Sequence, residues 1–112
     1  VEEDDSMARE AQEALMAAGA DNAIVHHGPL VEGAPKHGPY DVILIQGGVQ
    51  QVPAALPDQL KEGGRIACLF MDGALGEVRL GHKRDGIVSW RMVFNASAPV
   101  ILGFEKESVF TL

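Results

Sequence analysis

The sequence has little cysteine and little positive charge, and each shortage excludes a class of protein. Its single cysteine, Cys68, cannot form an internal disulfide framework. Nine lysines and arginines stand against sixteen aspartates and glutamates, which gives a net charge of −7 and a pI of about 4.9. Nucleic acid is therefore not expected as a main partner, because proteins that bind its phosphates present clustered basic side chains.

Long apolar runs and a leader segment are also missing. No apolar run approaches the ~20 residues that a membrane-spanning helix needs, so no membrane partner is expected. The chain begins with acidic residues, and no signal peptide is visible. We therefore predict a cytoplasmic protein. The first residue is valine and leads into what reads as the end of a strand, which predicts a mature product or a fragment.

Motifs that indicate catalysis or metal binding are absent as well. The sequence has no P-loop, no G-x-G-x-x-G and no G-x-S-x-G. His26 and His27 are adjacent and would point to opposite faces of a strand, while His37 and His82 have no partner at ligand spacing, so no metal site is expected. Cys68 lies within an apolar run, which predicts a buried structural thiol, and we assign no catalytic residue.

The most informative stretch that is present covers residues 40–48. Four consecutive aliphatic residues, 42–45, predict a strand over residues 40–46 that is buried on both faces, as in a parallel sheet covered by helices. Gln46, Gly47 and Gly48 follow at its carboxyl end, where open α/β sheets bind ligands. An alternative remains open: the two glycines could form only a strand-to-helix turn.

The remaining pattern alternates between helices and strands and then changes to a hairpin. This order predicts an α/β fold with a mixed sheet in one domain, with α/β crossovers in residues 1–70 and an antiparallel hairpin and final strand in residues 71–112. Besides residues 40–46, the predicted elements are helices over 6–18 and 52–60, strands over 22–26, 65–70, 77–84, 87–94 and 107–112, and a turn at Asp85-Gly86.

Two motifs carry a resemblance to a known family. The first is Pro39-Tyr40-Asp41 at the start of the aliphatic strand, and the second is Pro53-x-x-Leu56-x-x-Gln59-Leu60-x-x-Gly63-Gly64-Arg65. With the acid and helix of residues 2–15, they make residues 1–70 resemble the second half of an S-adenosylmethionine-dependent protein-L-isoaspartate O-methyltransferase. The tail matches only loosely. The resemblance implies a Rossmann-like methyltransferase sheet, truncated, and a protein or peptide substrate with isoaspartyl residues.

The resemblance also implies which residues contact the cofactor, S-adenosylmethionine. Glu2 matches the acid that holds the ribose hydroxyls, and a carboxylate can accept two hydroxyl hydrogen bonds. Gly28 and Pro29 match a Gly-Asp pair whose aspartate faces the adenine, so at Pro29 that contact is lost or made by the backbone. Gln46 and Gly47 match the end of the strand that lines the pocket.

This chain departs from the family by what it lacks. The family's glycine-rich first motif and its substrate-facing hydroxyl segment lie upstream of the ribose acid, and this chain starts at that acid. The family's first strand, at the sheet centre beside residues 40–46, is missing too. We therefore expect the piece alone to be inactive, and we expect an exposed apolar edge that promotes self-association into a homo-oligomer.

Two alternatives to a methyltransferase remain. The chain could be a non-catalytic α/β domain that acts through association, which Pro29 in place of the adenine-facing acid favours. It could also be another nucleotide-binding α/β protein, which only the strand-end argument and fold-level analogy support.

Overall fold

The computed structural model describes residues 1–106, so the predicted strand over residues 107–112 lies outside the described part. The described elements, in chain order, are α1 (Asp5–Ala17), two short 3₁₀ turns (Leu30–Glu32 and Pro35–His37), β1 (Tyr40–Val49), α2 (Ala55–Asp58), β2 (Leu60–Asp72), β3 (Leu75–Arg84) and β4 (Ile87–Asn95).

The strands form one sheet in the order β1-β2-β3-β4. β1 and β2 run parallel, whereas β3 and β4 pair antiparallel with their neighbours, and the predicted mixed sheet is confirmed. The predicted hairpin turn is also confirmed: Asp85 and Gly86 both have positive φ, 53° and 75°, which matches the twist of the flanking strands. The Glu62 carboxylate accepts hydrogen bonds from the backbone N–H groups of both turn residues, which ties the hairpin tip to β2.

Helix α1 begins and ends where its local sequence requires. Oδ1 of Asp4 accepts a hydrogen bond from the backbone N–H of Met7 at 2.8 Å and so caps the first turn. Gly19 follows the helix with φ of +74°, a conformation that favours glycine. The predicted helix over residues 6–18 is therefore confirmed to within one residue at each end.

Two predicted elements are wrong. The helix predicted over residues 52–60 is only the single turn Ala55–Asp58, because Pro57 lacks an N–H for a longer helix and β2 already begins at Leu60. The strand predicted over residues 22–26 does not form. Among residues 1–106 the nearest strand pairing is one isolated bridge between Glu2 and His27, directly after that segment, and β1 does not pair with it. A strand needs a neighbouring strand to bond its backbone groups.

The core contains a buried cluster of Val49, Leu56, Cys68 and Phe104. Residues 98–104 bring Phe104 to this cluster by crossing the carboxyl end of β1. There Gly48 donates its N–H to the Pro99 carbonyl at 3.0 Å and accepts from the N–H of Ile101 at 2.8 Å.

Strand β1 is covered on one face only. Ile43 and Ile45 are half-buried, whereas Val42 and Leu44 are 65% and 62% exposed on the other face. The prediction that this strand is buried on both faces is therefore wrong for this chain. Within residues 1–106, β1 is also the end of the sheet, as expected if its central neighbour is missing.

Candidate functional site

A cleft with a volume of about 790 Å³ runs along residues 42–46 of β1, which among residues 1–106 pair with no strand other than β2. One wall is β1 itself, residues 42–46. The opposite wall comes from the amino terminus and from the segment that was predicted to be a strand. Its residues are Val1, Glu2, Asn22, Ile24 and His26. The cleft therefore has more apolar than polar lining residues, and its polar side chains include the carboxylate of Glu2 and the amide of Gln46.

Glu2 supplies a carboxylate to this cleft. Its backbone is fixed on both sides, since the N–H donates to the His26 carbonyl at 2.9 Å and the carbonyl accepts from the Gly28 N–H at 3.0 Å. Oε1 accepts a hydrogen bond from the Asp4 N–H at 3.0 Å. Within residues 1–106, Oε2 has no hydrogen-bond partner. The half-buried carboxylate therefore keeps acceptor capacity for a ligand with hydroxyl or N–H groups.

Gln46 lies across the cleft from Glu2, at the end of the apolar part of β1. Its side chain is exposed, and it makes no side-chain hydrogen bond within the described residues. An amide at this position can both donate and accept. Glu2 and Gln46 are thus the two predicted site residues that the structure brings into one cleft.

Gly47 and Gly48 follow Gln46. Both positions need glycine because another segment of the same chain packs closely against them. A Cβ on Gly47 would lie 2.6 Å from Cγ1 and Cδ1 of Ile101, and a Cβ on Gly48 would lie 2.9 Å from the carbonyl oxygens of Ala98 and Pro99. Both positions therefore accommodate residues 98–104. Gly47 does not line the cleft, and its contact with a cofactor stays a prediction.

Gly28 and Pro29 lie behind the wall that contains Glu2 and are not among the cleft-lining residues. Pro29 precedes the first 3₁₀ turn, and its carbonyl already accepts a hydrogen bond from the Glu32 N–H at 3.1 Å. The Glu3 carboxylate holds the next backbone N–H, that of Leu30, at 3.3 Å. The assignment of Gly28 and Pro29 to the cofactor also stays a prediction.

The sequence patterns missed several residues of the cleft. Asn22, Ile24 and His26 occur at every second position, and this alternation marks the side chains that share one face of an extended segment. Tyr40 also lines the cleft, and its hydroxyl donates to the Ala34 carbonyl, which fixes the ring. The alternation of Asn22, Ile24 and His26 can be read from the sequence and could have identified them as one wall of the cleft. The position of Tyr40 could not be read in this way, because it depends on how the loop before β1 folds.

Cys68 does not have the properties of a reactive thiol. It is 2% exposed and belongs to the core. Burial raises the pKa of its thiol from 9.0 to about 12, with Arg79 acting weakly in the opposite direction. A thiolate is the nucleophilic form of cysteine, so Cys68 cannot serve as a nucleophile near neutral pH.

Residues 1–106 contain neither a cluster of metal ligands nor a membrane-spanning helix. No three His, Cys, Asp or Glu side chains come together there in a way that could hold a metal ion. Neither helix in this part of the chain has the length and apolar character needed to cross a membrane.

Comparison with known protein families identifies the family of this chain. The family model of protein-L-isoaspartate(D-aspartate) O-methyltransferases matches residues 1–93, most of the chain. The chain belongs to this family. The resemblance carried by the Pro-Tyr-Asp strand and the Gly-Gly-Arg motif is thereby confirmed.

Individual family members match the chain over only part of their own length. A protein-L-isoaspartate O-methyltransferase of Halorhodospira halophila is 31% identical over 99 residues, which cover 88% of this chain and 45% of the relative. One from Parvibaculum lavamentivorans is 34% identical over 91 residues, which cover 78% of this chain and 41% of the relative. The chain therefore spans less than half the length of these methyltransferases.

Solved structures of the family also match this chain over only part of their own length. A protein-L-isoaspartate O-methyltransferase superimposes with a TM-score of 0.82 at 26% identity, over 90% of this chain and 32% of the other. A protein-L-isoaspartate O-methyltransferase of Plasmodium falciparum in complex with S-adenosyl-L-homocysteine superimposes with a TM-score of 0.57 at 19% identity. It covers 67% of this chain and 36% of its own. The fold of this chain is that of part of the methyltransferase.

Proposed function

We propose that these 112 residues are part of an enzyme that transfers a methyl group from S-adenosylmethionine to the side-chain carboxylate of isoaspartyl residues in damaged proteins. The observation that carries the proposal is the family match over residues 1–93. The cleft adds independent support, because it combines the aliphatic side chains of β1 with polar groups, among them the carboxylate of Glu2 and the amide of Gln46. Protein or peptide carrying isoaspartyl residues is the proposed substrate.

The carboxylate of Glu2 fits a cofactor that contains a ribose diol. Its Oε1 is already held by the Asp4 N–H, and the half-buried Oε2 remains able to accept a hydroxyl. The backbone bonds of Glu2 to His26 and Gly28 prevent the side chain from moving away with its segment. Hydrogen bonds to a charged acceptor contribute about 1.5–3 kcal/mol each, which is enough to orient a ligand.

The chemistry itself would come from the cofactor, whose sulfonium supplies an activated methyl group. The residues of this chain would bind and orient. Glu2 would hold one end of the cofactor, and Gln46 would contact it from the opposite wall. The aliphatic side chains of β1 would exclude water. Since the carboxylate of the substrate is itself the nucleophile, positioning supplies most of the rate enhancement that such a site can offer.

The 112-residue chain alone would provide only one part of the pocket. Its matches cover 45% and 41% of the first two relatives, and the stretch of β1 that lines its cleft has no strand partner other than β2 among residues 1–106. We therefore propose that the isolated chain binds S-adenosylmethionine weakly or not at all and does not transfer methyl groups.

A chimeric enzyme tests the proposed activity. In the Halorhodospira halophila relative, the 99 matched residues would be replaced by the corresponding residues of this chain. We expect the chimera to transfer radiolabelled methyl groups from S-adenosylmethionine to a synthetic isoaspartyl peptide, and to ignore the same peptide with a normal aspartyl linkage. A folded chimera that binds the cofactor but leaves both peptides unlabelled would overturn the proposed reaction.

A second candidate function is association through the β1 edge. The observation that favours it is the exposure of Val42 and Leu44, two large aliphatic side chains on the strand that ends the sheet within residues 1–106. Under this proposal the isolated chain forms a homo-oligomer, which size-exclusion chromatography with light scattering would detect as more than one chain per particle. A clean monomer at micromolar concentration would count against it.

A further inference from the structure

The segment that carries Glu2 is held by a side chain as well as by backbone hydrogen bonds. The isolated bridge between Glu2 and His27 brings the two segments side by side. From there the His27 ring reaches the next residue, and its Nε2 lies 3.1 Å from the backbone carbonyl oxygen of Glu3. Since a carbonyl oxygen can only accept a hydrogen bond, Nε2 is a ring nitrogen that carries a proton and donates it.

The Glu3 carbonyl belongs to the same peptide group as the N–H that holds the Glu2 carboxylate. The N–H of Asp4 donates to Oε1 of Glu2 at 3.0 Å. The peptide bond between Glu3 and Asp4 is trans, so its C=O and N–H are fixed in one plane and point in opposite directions. A hydrogen bond that orients the carbonyl therefore also orients the N–H. Through this one peptide group, His27 acts on the position of the Glu2 carboxylate.

The other ring nitrogen of His27 faces helix α1 and makes a weaker contact. Nδ1 lies 3.7 Å from Oδ1 of Asp5, whose carboxylate also pairs with Arg9 at 3.1 Å. This separation is too long for a hydrogen bond, and the side chains of His27 and Asp5 are 49% and 65% exposed. Pairs this exposed contribute little to stability. The hydrogen bond to the Glu3 carbonyl is therefore the contact by which the ring holds this segment.

We propose that His27 is a positioning residue for the cofactor, because its imidazole fixes the peptide group that holds the Glu2 carboxylate at the cleft. The inference rests on the proposed function, in which Glu2 binds the ribose diol. Glu2 lines the cleft, whereas His27 does not. The ring therefore acts through Glu2 and makes no contact of its own with the ligand.

Amide exchange in the 112-residue chain, followed by NMR, tests the hold without any cofactor. In His27→Leu we expect the Asp4 amide to exchange about threefold faster or more, because its peptide group is released. His27→Gln should restore the wild-type rate, since the side-chain amide N–H of glutamine can reach the position of Nε2 and donate to the same carbonyl. Neither variant alters the buried core, so both should fold.

His82→Leu is the matched control for this measurement. It makes the same exchange of side chains on β3, where the His82 ring accepts a hydrogen bond from Nε of Arg65 at 3.0 Å. His82 does not line the cleft. The Asp4 amide should therefore exchange in His82→Leu at the wild-type rate.

Cofactor affinity in the chimera with the Halorhodospira halophila relative tests the consequence for the site. His27→Leu should weaken S-adenosylmethionine binding roughly three- to tenfold, as expected for the loss of one hydrogen bond that orients the acceptor. His27→Gln should bind with wild-type affinity. Because His27 acts through Glu2, His27→Leu should have no further effect in a Glu2→Gln background. A merely structural role would weaken binding by the same factor in both backgrounds.

Three results would overturn the proposal. They are an Asp4 amide that exchanges equally fast in the wild type and His27→Leu, a glutamine that fails to restore that rate, and a loss of affinity in His27→Leu that is the same with and without Glu2. A wild-type chimera that folds but does not bind S-adenosylmethionine would contradict the proposed function. The exchange of the Asp4 amide would still decide whether His27 holds the peptide group, so the two failures are distinguishable.

Discussion

Gly47 lies directly against the side chain of Ile101, so that a Cβ on the glycine would come within 2.6 Å of both Cγ1 and Cδ1. The glycine also has φ of +144°, which side chains other than hydrogen rarely tolerate. This contact fixes residues 98–104 across the end of β1 and places Phe104 in the core. A glycine at the end of an α/β strand is thus explained here by the packing of the chain on itself.

The first prediction concerns that contact. Gly47→Ala should lower the free energy of unfolding by roughly 2–4 kcal/mol, because it combines backbone strain with overlap against a β-branched side chain. Gly63→Ala is the control: its φ is +82° but nothing lies within 4 Å of the added Cβ, so only the backbone strain applies. Urea denaturation would measure both. If both substitutions lowered the free energy of unfolding by the same amount, overlap with Ile101 would not contribute to the effect of Gly47→Ala.

The second prediction concerns Cys68. Its folded pKa of about 12 lies above the ordinary value of 9.0, so the folded state keeps its proton longer than the unfolded state. The resulting stability is fully present below about pH 9 and is lost as the pH rises towards 12, at up to about 1.4 kcal/mol per pH unit. The difference in stability between the wild type and Cys68→Ala should shrink over this range. A difference independent of pH would show that the thiol ionises as easily in the folded chain.

The third prediction concerns a lysine that joins the hairpin to helix α2. Nζ of Lys83 donates to the carbonyl of Pro57 at 2.9 Å and to the carbonyl of Leu60 at 3.0 Å. Lys83→Met should destabilise the fold by about 1.5–3 kcal/mol, since it leaves these carbonyls without their charged donor. Lys61→Met is the matched control, because Lys61 only pairs with the exposed Asp41 at 3.4 Å and should cost no more than about 0.5 kcal/mol. Thermal unfolding of the two variants separates these cases.

The fourth prediction concerns Glu2 as a cofactor ligand. In the chimera with the Halorhodospira halophila relative, Glu2→Gln should weaken S-adenosylmethionine binding roughly ten- to a hundredfold, which corresponds to the loss of a charged acceptor. Glu10→Gln removes the same charge from the exposed side of α1 and should leave the affinity unchanged. Equal affinities for the two variants in calorimetry would show that Glu2 does not hold the cofactor.

Local signals in the sequence identified most of the fold. The helix over residues 6–18 and the Asp85-Gly86 turn each depend on a few neighbouring residues, and both are found in the structure. The failures depend on residues that are distant or missing. Residues 22–26 have the composition of a strand, but no described strand lies beside them to accept their backbone hydrogen bonds.

The candidate site also divides into residues that the sequence identifies and contacts that depend on distant residues. The resemblance named Glu2 and Gln46, and the structure places both in one cleft. It also named Gly47, whose nearest neighbour is a side chain 54 residues later in the sequence, and local patterns cannot reveal such a contact. The cofactor contacts of all five residues, Glu2, Gly28, Pro29, Gln46 and Gly47, and the cytoplasmic location, stay predictions.

The central claim is that this chain holds one part of a methyltransferase pocket and needs the rest of the enzyme to complete it. Isothermal titration calorimetry with S-adenosyl-L-homocysteine tests this most directly, first on the 112-residue chain and then on the chimera with the Halorhodospira halophila relative. We predict binding weaker than about 1 mM for the chain alone and clearly measurable micromolar binding for the chimera. Micromolar binding by the chain alone, or no binding by a folded chimera, would contradict the claim.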